Sequence, residues 1–581
     1  MGSSDGVRAR EAATSATLRL PHRLLSWGGP LQDTNRIERG YRWWALGAVL
    51  LVMFTAALSS TIVSTAVPTI VADLHGFDLY GWVFTGYMLA STVTVPIAGK
   101  LSDIYGRRPF YLAGIAMFVA GSALAGAAQS MLWLIGARVI AGLGGGAMMA
   151  LSTATIGDIF SPRERGRWMG VVMGVFGLAS IVGPTAGGSI TDHFGWRWVF
   201  FVTLPLVALA WLIVGMVMPR VRTRSRHALD VPGSALLTAG LVALLLGFTW
   251  GGTTYAWGSW QEVVCFAGGA GLLALFVARE RRAPEPILSP ALFSNRVFTL
   301  SVATSFLLAA AMFGSLSFIP LFVQGVIGKT AQNSGVILTP MMLGFVAGSA
   351  VGGQIISRTG RYKLQAIAGM CCTLAGFLLF SRLTASSGSG EVVRDMVVLG
   401  IGIGATMPIF SMTVQSAFPH RLLGTVNSAR QLFTNLGGAI AVPVMTAIVV
   451  NTFSSELPGR VPAAIRPELA QHAISPQSLL TPQAQAAVES RFAALPGGGH
   501  HLLARFLDGV RQSLASGIVD VFVVGVGLAS AALLLTLVFP RIELATWEPT
   551  AQPETFAEDA GVIGSLVGDH RQGAEATAAD R

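Results

Sequence analysis

Apolar residues in this chain come in long runs separated by short polar stretches. Fourteen runs have spanning length: Trp43–Pro68, Tyr80–Gly99, Phe110–Ala128, Leu132–Thr155, Met169–Ile190, Val199–Met218, Gly233–Trp250, Val263–Ala278, Phe298–Phe322, Gly335–Ile356, Leu364–Ser381, Val393–Thr413, Leu432–Val450 and Ile518–Phe539. About 20 consecutive apolar residues carry a helix across a bilayer, so the pattern predicts fourteen transmembrane helices. The intervening polar stretches alternate in charge. Arg107/Arg108, Arg163/Arg165/Arg167, Arg220/Arg222/Arg224/Arg226, Arg279/Arg281/Arg282 and Arg358/Arg361/Lys363 fall on one side. Asp73/His75/Asp78, Gln129/Ser130, Thr253/Thr254 and Lys329 fall on the other. An excess of cations marks the cytoplasmic side. Both termini are therefore expected in the cytoplasm, with the protein multi-pass in the cytoplasmic membrane.

Residues 1–42 are polar and Arg-dotted, with no long apolar core of a cleavable signal. Residues 541–581 are acidic and Ala-rich, an expected disordered cytoplasmic tail. The one sizeable loop, 451–516, is expected on the outer side. Near its end Leu502, Leu503, Phe506, Leu507, Val510 and Leu514 recur at helical spacing. They read as a helical extension packing on its neighbours, a lipid-surface stripe being the alternative.

The chain is 52% hydrophobic and 12% charged, against roughly 25% charged residues in soluble domains. That excludes a large soluble protein. The net charge of +10 is carried by arginine, the lysines being Lys100, Lys329 and Lys363. These charges sit in short loops between spans, so they are not a nucleic-acid footprint. Arg-, Ala- and Gly-rich usage points to a GC-rich bacterial genome. Cys265, Cys371 and Cys372 lie inside spans as small apolar residues, with no disulfide framework. His500-His501 lacks further ligands and reads as solvated, so no metal is expected.

Chemistry concentrates in a few places. Gly99-Lys100-Leu101-Ser102-Asp103-Ile104-Tyr105-Gly106-Arg107-Arg108-Pro109 joins the second and third spans. Gly99 and Gly106 are read as the residues that let the backbone turn. Asp103 can cap a helix end or pair with an Arg, which suits a latch. In the fifth span Ala179, Gly183 and Gly187 are spaced by four, a smooth face for close helix packing, and Pro184 can kink it. Arg138 in the fourth span is costly unless it faces a cavity or a partner; the alternative is snorkelling to the surface.

The charged hairpin closely resembles the signature loop between helices 2 and 3 of the major facilitator superfamily. Gly183-Pro184-Thr185-Ala186-Gly187-Gly188 resembles the glycine-proline motif of its exporters, and Arg138 resembles the family's fourth-span Arg, implicated in proton transfer or substrate contact. The resemblance implies an all-α integral membrane fold of two six-helix bundles plus two inserted central helices: 43–218, then 219–297 for the inserted pair, then 298–540. It also implies that Asp103, Arg107 and Asp158 grip a second-half helix near Asn427-Ser428-Ala429-Arg430. Gly353-Gln354-Ile355-Ile356-Ser357-Arg358-Thr359-Gly360-Arg361 weakly repeats the loop and suggests duplication. Trp196-Arg197-Trp198 looks like an interfacial aromatic anchor.

The fourteen-span drug:proton antiporters carry Leu-Asp-x-Thr-Ile-Val-Asn-x-Ala-x-Pro in the first span. Here the run is Leu58-Ser59-Ser60-Thr61-Ile62-Val63-Ser64-Thr65-Ala66-Val67-Pro68, so Ser59 replaces the acid. Serine does not titrate near neutral pH. Asp520, Asp395 and Glu262 lie near span ends and read as solvated or capping carboxylates, Asp520 being the best coupling candidate. Ser59, Ser60 and Ser64, with Asn427, Gln431 and Asn435 on one helix face, are the expected cavity residues; Met407, Phe410 and Met412 are expected to add apolar contacts. Without a buried carboxylate, such a cavity should prefer neutral or anionic amphiphiles to cationic dyes.

The resemblance thus implies a monomeric exporter of small amphipathic compounds by alternating access, driven by the proton gradient with no bound cofactor. Membrane lipid surrounds it, and a periplasmic or lipoprotein partner fits the outer loop. An exporter of an endogenous lipid or secondary metabolite is the alternative. A non-transporting receptor on the same fold is a third reading, opposed by Asp103, Arg107 and Arg138. No P-loop pattern points to ATP, and no enzymatic activity is expected.

Overall fold

The computed structural model describes residues 39–159, 162–218, 230–252, 254–283, 288–359, 362–418, 423–461 and 499–540. Its long elements are all helices: α1 (Arg39–Asp73), α2 (Tyr80–Tyr105), α3 (Arg107–Gly126), α4 (Met131–Ile159), α5 (Pro162–Phe194) and α6 (Trp198–Phe201 continued by Leu204–Val217). They continue as α7 (Val231–Trp250), α8 (Trp260–Glu280), α9 (Arg296–Leu321), α10 (Ala331–Thr359), α11 (Tyr362–Phe380), α12 (Ser389–Ser416), α13 (Leu423–Arg460) and α14 (Gly499–Val538). Among the described residues, 13 helices are long and apolar enough to cross a membrane. The exception is α5, a helix of 33 residues whose first turns carry Arg163, Glu164, Arg165 and Arg167. It packs against α1 and α10 all the same. The chain is an all-α, multi-pass membrane protein.

The same packing scheme occurs twice. α2 lies on α4 and α1 on α5; later in the chain α10 lies on α12 and α9 on α13. The two sets meet through α5 against α10 and α2 against α13, while α7 and α8 pack on each other and α7 rests on that α2–α13 seam. Close approach depends on small residues, because between apolar helices in lipid the attraction is mainly packing. A Cβ at Gly144 would stand 2.8 Å from Phe118 Cα on α3, and one at Gly376 2.7 Å from Leu399 Cα on α12.

Several expectations are corrected here. The charged hairpin is tighter than its sequence suggests: Gly99 sits inside α2, and Gly106 alone, at φ 93°, makes the turn into α3. That backbone region is readily open only to glycine. The segment 451–516 is not one long loop. α13 runs on to Arg460 and α14 begins at Gly499, so at 1.5 Å per residue they are about 57 and 60 Å long. Their projecting ends pack together, with Phe506, Val510 and Leu514 buried beside Phe453, Leu457 and Val461, and Arg460 donates to Ser516 Oγ at 2.9 Å. The stripe is therefore a helical extension. The aromatic run divides: Trp198 is 55% exposed, as an interfacial anchor would be, whereas Trp196 is 4% exposed and its indole N–H donates to Asp73 Oδ2 at 2.9 Å. Arg197 donates to the same oxygen and to the Ala128 carbonyl, tying α1, α3 and the α5–α6 turn together. The tails, the middle of the 451–516 segment and the side chains of Asp103 and Asp158 lie outside the described residues.

Candidate functional site

Where the repeated packing schemes meet, α1, α2, α4, α5, α9, α10 and α13 line a cleft. Its polar wall is Ser60, Thr61 and Ser64 of α1 with Ser180 of α5, and its apolar wall includes Phe84, Met88, Met312, Phe313 and Phe345. Residues 60, 61 and 64 share a face because a helix turns 100° per residue. Their hydroxyls are partly spent on their own helix: Ser60 donates to Ala57 O at 2.7 Å and Ser64 to Thr61 O at 2.6 Å.

Among the described residues, Arg138 is the one charged side chain lining this cleft. It is 2% exposed, donates from Nε to the Val83 carbonyl at 3.3 Å, and stacks 4.3 Å from the Tyr87 ring centroid. The ring's negative face attracts the guanidinium. Snorkelling to a surface is thus excluded. Gly145 makes room for this pair, since a Cβ there would stand 3.0 Å from Tyr87 Cζ.

The cleft is sealed at the end where α1 finishes and α2 and α10 begin. Tyr80 donates its hydroxyl to the Ser317 carbonyl, between α2 and α9. Gln324, in a π-helical turn at Phe322–Val326, donates to Thr65 O at 3.0 Å and to Ser334 Oγ at 3.1 Å, joining α9 to α1 and α10. Single π turns often mark functional sites. Thr185 and Thr339 hydroxyls lie 2.7 Å apart between α5 and α10, and Asp192 Oδ2 accepts from the Gln332 N–H at 2.7 Å, capping α10.

The exporter-like motif of α5 divides its work. Ala179, Gly183 and Gly187 face α1: the Ala179 carbonyl accepts from Thr61 at 3.2 Å, and a Cβ at Gly183 or Gly187 would stand 2.9 Å from Thr61 Cβ or Ile62 Cγ1 respectively. Gly188 and Pro184 face α10, where a Cβ at Gly188 would stand 2.7 Å from the Ala331 carbonyl carbon. The motif therefore builds both the α1–α5 contact and the seal.

Other expected residues lie elsewhere. Ser59 is buried at 3% exposure and does not line the cleft. Gln431 donates to Asn435 Oδ1 at 2.8 Å, but Asn427, Gln431 and Asn435 lie outside the cleft, which meets α13 at Val442. Met412 is exposed away from the cleft, and Phe410 packs 6.0 Å from the Phe539 ring. Asp520 accepts from Thr452 Oγ1 at 2.8 Å between α13 and α14, outside the cleft. Asp395 and Glu262 are not solvated: both are 0% exposed. Arg107 donates to Ser102 Oγ at 3.1 Å, and Arg108 to the Gly215 carbonyl on α6. Sequence reasoning missed Tyr87, Gln324 and Thr339, which carry no motif of their own, and the role of Thr185 within the α5 motif.

The sequence profile of the Major Facilitator Superfamily matches residues 49–442. The chain is 39% identical over 401 residues to the multidrug transporter protein MdtP of Bacillus subtilis, covering 69% of this chain and 74% of that one. It is 35% identical over 439 residues to the acurin A biosynthesis cluster MFS-type transporter of Aspergillus aculeatus, covering 74% and 79%. In three dimensions it is similar to the crystal structure of a bacterial homologue of the human lysosomal transporter Spinster. The TM-score is 0.55 at 17% identity, with 88% of this chain and all of that one covered.

Proposed function

Because the chain belongs to the Major Facilitator Superfamily, we propose that it exports amphipathic compounds across the cytoplasmic membrane by alternating access, in antiport with protons. The observation that carries this reading is the apolar, hydroxyl-edged cleft lying between the two repeated helix sets and sealed at one end. Rocking one set against the other would break that seal and expose the cleft to the other side. The cleft suits an amphiphile, since aromatic and methionine side chains contact apolar groups of varied shape. The likeness to a multidrug transporter supports the same class of cargo.

The likeness to a transporter of a biosynthesis cluster favours a second reading, export of a secondary metabolite. Both use one cleft and one motion. Proton antiport needs a group that changes charge as the protein turns over, and Asp158 and Asp520, with Arg138, are the candidates carried from the sequence. Both termini lie in the cytoplasm in this proposal, and the chain works as a monomer.

The test is reconstitution in liposomes with an imposed pH gradient, following an amphipathic fluorescent probe together with lumenal pH. Probe movement that dissipates the gradient faster than leak supports antiport. Movement indifferent to the gradient refutes the coupling but keeps the export, and no movement refutes both.

A further inference from the structure

The cleft contains a cation with no counter-ion. Among the described residues that line it, Arg138 alone is charged, and no aspartate or glutamate is among them. The guanidinium is 2% exposed, yet its protein contacts are one hydrogen bond from Nε to the Val83 carbonyl and the face of the Tyr87 ring. Among the described residues, neither Nη has a hydrogen-bond or ion-pair partner. Buried guanidinium groups are costly unless paired, and a carboxylate can take two parallel N–H donors from such a fork. A ring on one side and a carbonyl at Nε fix the plane of the group, so the Nη edge is held ready. Methionine and phenylalanine side chains, such as Met88, Met312 and Phe313, supply an apolar wall of the same cleft.

We propose that the preferred cargo is an amphipathic organic anion, its carboxylate or equivalent oxyanion paired with Arg138 and its apolar body against the methionine and phenylalanine wall. This rests on the export reading above and narrows its substrate class. The family resemblance assigns the fourth-span arginine to proton transfer or to unspecified substrate contact; here the absence of any acid in the lining leaves the cargo as the partner for its charge. The hydroxyls of Ser60, Thr61 and Ser64 cannot replace it, since they carry no charge.

The test uses one apolar body in three charge forms: pyrenebutyrate, its methyl ester, and a pyrenylbutyl trimethylammonium of matched length. Binding to the full chain in nanodiscs is read by pyrene fluorescence. The carboxylate should bind about ten- to a hundred-fold more tightly than the ester, the range for a hydrogen bond to a charged group, and the ammonium more weakly than either. Arg138→Gln should reduce the carboxylate-to-ester affinity ratio by about ten-fold or more, whereas Arg138→Lys should keep most of it. Ammonium binding as tight as carboxylate binding overturns the proposal, as does an unchanged ratio in Arg138→Gln or no binding of any form. If Arg138→Gln does not fold, the ranking with the unsubstituted protein decides. Transport in liposomes separates the two claims. A carboxylate preference without movement leaves this assignment standing and refutes export, while movement of all three forms without preference does the reverse.

Discussion

Gly335 sits where α10 crosses α5 at the sealed end, and replacing it by alanine should hold that seal apart. A Cβ at this position would stand 2.7 Å from the Pro184 carbonyl carbon, with the carbonyl oxygen nearer still, and 3.0 Å from Thr185 Cα. These are backbone atoms of a proline-containing helix, so no side chain can swing away. Restoring ordinary contact requires the helices to part by about 1 Å, and overpacking of this kind costs about 1–3 kcal/mol. The Thr185–Thr339 hydrogen bond, 2.7 Å and one turn away on α10, would weaken with it, adding about 1 kcal/mol. Both penalties arise only in the sealed state, and in a background without the two threonine hydroxyls the overpacking term acts alone. The equilibrium should therefore move toward the opened seal by about ten-fold or more. Gly353, on the same helix, has nothing within 4 Å of its Cβ position, so Gly353→Ala is the control. The assay is disulfide formation in Thr185→Cys/Thr339→Cys, with Cys265, Cys371 and Cys372 replaced by serine. Gly335→Ala should slow crosslinking about ten-fold and reduce export, with Gly353→Ala matching the parent. Crosslinking in Gly335→Ala as fast as in the parent would refute the reasoning.

Gly106→Ala should destabilise the protein by about 1–3 kcal/mol, because φ there is 93°, whereas Gly99→Ala, in helix and open space, should be neutral or stabilising by about 0.5–1 kcal/mol; thermal unfolding in detergent reads both, and equal losses would sink the one-glycine turn. Gln324→Leu removes donors to Thr65 O and Ser334 Oγ, each worth about 1 kcal/mol. Alkylation of Ser64→Cys from the sealed side should then quicken about five- to thirty-fold, and an unchanged rate would remove Gln324 from the seal. Phe506, 1% exposed in the extension, should cost about 3–5 kcal/mol when changed to alanine; an unaltered melting temperature would mean the projecting helices are a loose appendage.

The helices were legible because length and hydropathy alone decide whether a segment can cross lipid. The one helix outside that apolar criterion, α5, is still read as a span from the run Met169–Ile190, and its Gly183-Pro184 motif, which needs close neighbours on two faces, has them in α1 and α10. Membership of the cleft was harder to read. A transmembrane helix is apolar toward lipid and toward its neighbours alike, so hydropathy does not reveal which way it is rotated. Ser59 and Ser60 differ by one residue, which is 100° of rotation, and only Ser60 reaches the cleft. Depth matters too: Asn427, Gln431 and Asn435 form the expected polar face of α13, but the cleft meets that helix further along, at Val442. The helix end at Phe453–Arg460 was invisible because polar residues there hide a stripe that only its partner α14 completes.

The position of Ser59 changes what its missing acid means. In the drug:proton antiporters that the first span resembles, the acid stands at this register, and its replacement by serine suggested a lost proton carrier. In the sealed arrangement residue 59 is packed among neighbouring helices rather than in the cleft, so an acid there would be buried away from any cargo bound beside Arg138. With no carboxylate among the described lining residues, Arg138 faces the cleft uncompensated. An acid in the lining would compete with an anionic cargo for the guanidinium and attract a cationic one. Its absence makes the electrostatics of the cleft positive, and charge preference among otherwise identical amphiphiles should follow from that sign.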